Sequence, residues 1–219
     1  MSSLKESIKE YLDKFKDVPR TFKDRLSYIV ENYKLSSKHL TKIEDSLNML
    51  NEFDMYEEFS FVLYVIPKPS PRPRMVRGGT HCYVSGANDD KKLFAQYLDS
   101  LGDKRPSIII TPCEIFLDYY LETPKSMKKT DIMMAELKYI RPVAVPDVDN
   151  VAKKYIDMTQ ESLLLNDSLI VGAYIQKYYS VLPRVEIRIR YQKGFMSEFN
   201  RKKVESWSSY KDLKKEDTD

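Results

Sequence analysis

Histidine and cysteine are scarce in this chain of 219 residues, with two of each. His39 and His81 alone cannot supply the ligand clusters of zinc enzymes, nor the paired histidines on which some nucleases are built. Cys82 and Cys113 lack metal-ligand spacing and are too few for a disulfide scaffold, which points to a reducing, intracellular setting. The start of the sequence, Met1-Ser2-Ser3-Leu4-Lys5-Glu6, carries no apolar signal core, and no apolar run reaches membrane-spanning length. One-sided charge is missing too. The formal net charge is only +3, so a surface for a polyanion must come from local clustering. What remains is a composition that is 42% hydrophobic, sufficient for a packed core, and chemistry built on carboxylates and a hard cation.

The richest stretch is Pro146-Asp147-Val148-Asp149-Asn150-Val151-Ala152-Lys153, answered by Leu165-Asn166-Asp167-Ser168. Pro146 biases Val145 toward extended backbone. The reading is an extended entry in which Asp147 and Asp149 point to one side. A helix then starts at Asp149 or Asn150 as N-cap and runs to about Leu164. Asp147, Asp149 and Asp167 together make a hard-oxygen set that suits magnesium, with water and a substrate phosphate completing the coordination. Lys153 falls in the first helical turns, where a cation opposes the helix dipole. It serves either as a surface ion pair with Asp149 or as a point charge against a developing anion.

Residues 1–56 read as a helical extension. Leu4, Ile8, Tyr11, Leu12 and Phe15 form one stripe, and Phe22, Leu26, Ile29, Val30 and Tyr33 a second. Ser36-Ser37 caps a third with Leu40, Ile43, Leu47 and Leu50. The segment balances acidic and basic residues, which fits packing or a protein partner better than nucleic acid. From 57 to 66 the period changes to that of a strand apolar on both faces. The segment Pro67-Lys68-Pro69-Ser70-Pro71-Arg72-Pro73-Arg74-Met75-Val76-Arg77 is basic, free of acid and stiffened by proline. It is expected to present Lys68, Arg72, Arg74 and Arg77 to phosphates. A helix follows with Leu93, Phe94, Tyr97, Leu98 and Leu101, ended by Gly102. Residues 113–122 alternate as a strand with one wetter face. Lys125, Lys128 and Lys129 precede a short helix, and Lys128 and Lys129 join the candidate DNA contacts. Strands at 170–179 and 185–191 follow the Asn166-Asp167 turn. Residues 193–219 read as a polar tail, mobile or ordered by a partner. The expected fold is α+β: a small mixed, mainly antiparallel sheet with flanking helices in 57–192, plus the N-terminal helical extension.

With these residues placed, the chain resembles the RusA family of Holliday junction resolvases of bacteria and their phages. The resemblance is carried by Lys68-Pro69-x-Pro71-Arg72-Pro73-Arg74, Pro146-Asp147-x-Asp149-Asn150-x-x-Lys153, Asn166-Asp167-Ser168-Leu169-Ile170-Val171, and Lys177 in the following strand. It implies a homodimer acting on branched DNA with Mg2+ in a bacterial cytoplasm, cutting by paired phosphodiester hydrolysis. Asp147, Asp149, Asp167 and Lys153 match its essential residues, and Lys177 joins the DNA-contacting set. One departure is Asn166, where relatives often carry a second acid. Two other readings stay open. One is a catalytically silent branched-DNA-binding protein, and the other an adaptor acting through its N-terminal helices.

Overall fold

The computed structural model describes residues 28–29, 31, 36–52, 55–70, 74–75, 82–83, 88–195 and 197–216. The chain divides into two compact units at Asp54/Met55. In the first, helix α1 spans Ser37–Glu52. The Ser36 carbonyl accepts from the amides of His39 and Leu40 at 2.9 and 3.1 Å, so the serine pair marks the helix start as its sequence suggests. Leu40 and Ile43 of its apolar stripe are exposed. The other two helical stripes expected in this segment lie outside the described residues, apart from isolated positions.

The second unit is built on a sheet with strand order β1-β6-β4-β5. The strands are β1 (Tyr56–Leu63), β4 (Cys113–Glu122), β5 (Ile170–Ser180) and β6 (Arg184–Gln192). Strand β6 runs antiparallel to both β1 and β4, and β4 runs parallel to β5. A parallel pair needs a crossover. Here it is supplied by helices α3 (Lys129–Glu136) and α4 (Val148–Ser162). A small antiparallel pair joins β2 (Arg74–Met75) to β3 (Cys82–Tyr83), and α2 (Asn88–Ser100) follows. The fold is α+β with a mostly antiparallel sheet, as the changes of period predict.

Alternation decides which face is covered. Cys113, Ile115, Leu117, Tyr119 and Leu121 of β4 point into the core with Val185, Ile187 and Ile189 of β6 and Phe61 and Leu63 of β1. Phe94 and Leu98 of α2 and Val151, Ala152, Tyr155 and Met158 of α4 close over them. Burial raises the Cys113 thiol to about 12, so it behaves as a small apolar side chain. The opposite face carries stacked Phe116–Tyr174 and Tyr120–Tyr178 pairs at 4.7 and 5.1 Å. The guanidiniums of Arg188 and Arg184 lie 4.0 and 3.6 Å over Phe116 and Tyr120.

Three expectations change. Strand β1 is an edge strand buried on one face only: Val62 is exposed, and so are Tyr64 and Ile66 just beyond its end. Helix α4 starts at Val148, so Asp147 is the N-cap and Asp149 is already in the first turn rather than on extended backbone. Residues 198–216 are not a mobile tail. They form α5 (Glu198–Glu205) and α6 (Ser208–Glu216). Val204 is buried in the core, and Trp207 and Tyr210 pack against it. The segment's high charge hides these anchors because two short amphipathic helices need few apolar residues to dock.

Candidate active site

The acidic motif is held by the loop ahead of α4, which β5 grips at several points. Arg141 donates from Nε to the Lys177 carbonyl at 3.0 Å, and its guanidinium lies 3.9 Å over the Tyr178 ring. The Lys177 ammonium donates to the carbonyls of Ala144 at 2.8 Å and Pro146 at 3.3 Å. The Val145–Pro146 peptide is cis. The last backbone carbonyl before Asp147 is thereby tied to the sheet.

From this anchored point Asp147 occupies the N-cap position of α4 without a side-chain capping bond, and Asp149 sits in its first turn, where the positive end of the helix dipole favours anions. Both are exposed. Lys153, one turn further, is also exposed and makes no ion pair with Asp149 among the described residues, so the surface ion-pair reading does not hold. Lys154 turns the other way and is 8% exposed, its ammonium 5.6 Å from the Tyr155 ring centre. The sequence reading passed over Lys154, although the spacing Val151, Lys154, Tyr155, Met158 places it on the inner stripe.

Tyr119 of β4, which shares the core cluster with Val151 and Ala152 of α4, is fully buried, and its hydroxyl has no hydrogen-bond partner among the described residues. Burial, then the negative charges of Asp149 and Asp147, raise this phenol to about 12. It therefore keeps its proton and remains a donor. An unmatched buried hydroxyl costs about 1–3 kcal/mol.

The base of the basic arm reaches the same place. The Ser70 amide donates to the Asn150 carbonyl at 2.9 Å, which sets the Lys68-Pro69-Ser70 segment beside the first turn of α4. Lys68 is exposed. Arg74 belongs to the β2–β3 pair and is described in its backbone only. Arg72 and Arg77 lie outside the described residues. Lys128 is the N-cap of α3 and Lys129 its first residue, both exposed.

Asp167 stands elsewhere. It opens a short turn before β5, where the Asn166 side chain accepts from the Ser168 amide at 2.9 Å. Asn166 thus does the local work of a cap, for which an amide serves as well as an acid. The β4–β5 register puts Cys113 against Ile170 and Tyr119 against Lys177. Asp167 is therefore at the far end of the sheet from the Asp147 loop. Helix α4 spans the interval, roughly 20 Å at 1.5 Å per residue. No group of three or more acidic, histidine or cysteine side chains suited to a metal forms among the described residues of one chain. The structure brings together Asp147, Asp149, Lys153 and the base of the arm, and leaves Asp167 apart.

Asp147 and Asp149 at the near end are the residues that would hold a divalent cation. Two carboxylates on one helix start, with open solvent above them, leave room for the waters and phosphate oxygens that magnesium retains. Among the described residues no helix is long and apolar enough to cross a membrane.

The chain is 35% identical over 135 residues to an uncharacterized protein, YqaN, of Bacillus subtilis (strain 168), covering 59% of this chain and 94% of that one. The family described as Endodeoxyribonuclease RusA matches residues 65–190, a span that begins just before the arm and ends within β6. More than half of the chain, including the clamped acidic loop and its helix, therefore belongs to the RusA family of endodeoxyribonucleases, which are Holliday junction resolvases.

Proposed function

We propose that this chain resolves four-way DNA junctions as a homodimer, by paired divalent-metal-dependent hydrolysis, with Mg2+ as the working ion. The observation that carries this reading is the meeting at one helix start of Asp147, Asp149, exposed Lys153 and the base of the basic arm. A bound divalent cation supplies an activated water and relief of phosphate charge at neutral pH. Asp147 and Asp149 bind and orient the cation. Lys153 places a positive charge above the acidic turn, where it stabilises negative charge developing on the scissile phosphate. Lys68, Arg72, Arg74 and Arg77 hold neighbouring backbone phosphates, and Lys128 and Lys129 extend the basic surface.

Lys177 has a different role from the phosphate contact its sequence suggests. Its ammonium is engaged by two loop carbonyls, so it positions Asp147. Asp167 of the same chain does not reach the pair; in a homodimer it serves the centre of the second copy.

The test is cleavage of a synthetic four-way junction with and without Mg2+, comparing the parent with Asp149→Asn. The expected result is symmetric paired nicks from the parent, and a loss of about 1000-fold or more in the variant with junction binding retained. A variant that cuts at the parental rate removes the acidic pair from the mechanism.

A further inference from the structure

We propose that Tyr119 is a positioning residue of the acidic centre, its hydroxyl donating a hydrogen bond to the Asp147–Asp149 carboxylates when these hold a divalent cation. The inference rests on the metal-dependent reading above and goes beyond it in naming a buried strand residue as part of the site.

Tyr119 occupies an inward position of β4 between Leu117 and Leu121, in the cluster that also holds Val151 and Tyr155 of α4. Every packing requirement of that position is met by a phenyl ring. The hydroxyl adds only a buried donor that nothing among the described residues accepts, and on folding grounds alone it is a cost. The carboxylates whose charge reaches it are Asp149 and Asp147. A carboxylate that gives one oxygen to a cation has lone pairs left for a donor, and such outer partners fix its orientation. Strand register adds a second argument. Tyr119 is paired with Lys177, the residue that ties down the Pro146 carbonyl. One rung of the sheet thus holds both the lysine that ties down the backbone entering Asp147 and the unmatched buried donor.

The experiment uses full-length parent, Tyr119→Phe and Asp149→Asn. Thermal unfolding is measured in EDTA, and Mn2+ affinity by calorimetry without DNA. For Tyr119→Phe the expected result is an unfolding midpoint in EDTA equal to or above the parent's, with Mn2+ affinity weakened about 10-fold. Parental Mn2+ affinity in Tyr119→Phe overturns the proposal. So does a clear drop of its midpoint in EDTA, which would make the hydroxyl a structural partner. Asp149→Asn separates the two levels. If it binds Mn2+ as the parent does, the acidic centre itself is misassigned, and the acceptor the proposal needs goes with it. If it loses Mn2+ while Tyr119→Phe does not, only the role of Tyr119 fails.

Discussion

The two ends of α4 both carry acid, under opposite constraints. At the N-terminal end the backbone entering Asp147 is tied to β5 by Lys177 and Arg141, and buried Tyr119 is paired with Lys177 across the sheet. At the C-terminal end Arg105 donates from its guanidinium to the Ser162 carbonyl at 3.1 Å, and backbone pairing with Ile109 holds the exit. Ile109 donates to the Leu163 carbonyl at 2.8 Å and accepts from the Leu165 amide at 3.0 Å. Beyond that point the Asn166 cap sets the turn in which Asp167 stands exposed. One end brings lysines and the base of the basic arm to two carboxylates, whereas the other presents a single carboxylate on a locally satisfied turn. A rigid helix keeps the two apart, so closeness in sequence between the two acidic motifs does not become closeness in space within one chain.

The largest effect that separates these ends is a mixing experiment. If Asp167 acts only across a dimer, Asp149→Asn and Asp167→Asn proteins are each inactive alone. In a mixed dimer one centre keeps both of its acids, and the mixture regains single nicks on a four-way junction without paired resolution. If both acids act within one chain, every centre of the mixture is broken and no nicking returns. Denaturing gels of a nicked-junction assay distinguish the two.

Next comes the clamp. Lys177→Met keeps most of the aliphatic stem and removes the donor to Ala144 and Pro146. The expected cost is about 1–2 kcal/mol in urea unfolding, together with a fall in saturated cleavage rate of about 10-fold or more. If Lys177 were a phosphate contact instead, the salt slope of junction binding would drop and the saturated rate would hold.

The arm gives a smaller and different signature. Arg72→Ala with Arg74→Ala is expected to weaken junction binding at any sequence and to flatten log affinity against log salt by about one unit per lost contact. Saturated cleavage persists. Unchanged affinity and slope would reduce both arginines to ordinary surface charge.

The smallest effect belongs to the other face of the sheet. Burial, opposed first by Lys138, raises the Asp118 carboxyl above its usual value of 3.8. The folded state then holds a proton more tightly than the unfolded chain. That contribution to stability is fully present below about pH 4 and lost as pH rises through the folded value. Asp118→Asn should therefore raise the unfolding midpoint slightly at pH 7, with the gain vanishing below pH 4. A gain of equal size at both pH values would assign it to something other than ionisation.

Local order left clear marks in the sequence. The two-residue period of 113–122 names the buried side of β4, and the stripe Val151, Tyr155, Met158 names the buried side of α4. The acidic motif and its lysine stand out because polar residues at a helix start are constrained by short-range geometry. The same local rules misplace the N-cap by two or three residues and bury both faces of β1, because cap position and edge status depend on what the rest of the chain does. The C-terminal helices were hidden for the same reason: Val204 becomes a core residue only when the sheet supplies the surface that receives it.

By itself, the sequence determined the α+β alternation, the carboxylate pair with Lys153, and the basic arm, since each is written in adjacent residues or in a fixed period. Tertiary structure alone decided that Tyr119 is paired with Lys177 in the core-facing rung, that Lys177 bonds the loop carbonyls of Ala144 and Pro146, that the arm's base docks on Asn150, and that Asp167 stands a helix length away. Those relations join residues from 18 to 80 positions apart. Contacts over such separations are set by strand register and helix length, which no local pattern encodes.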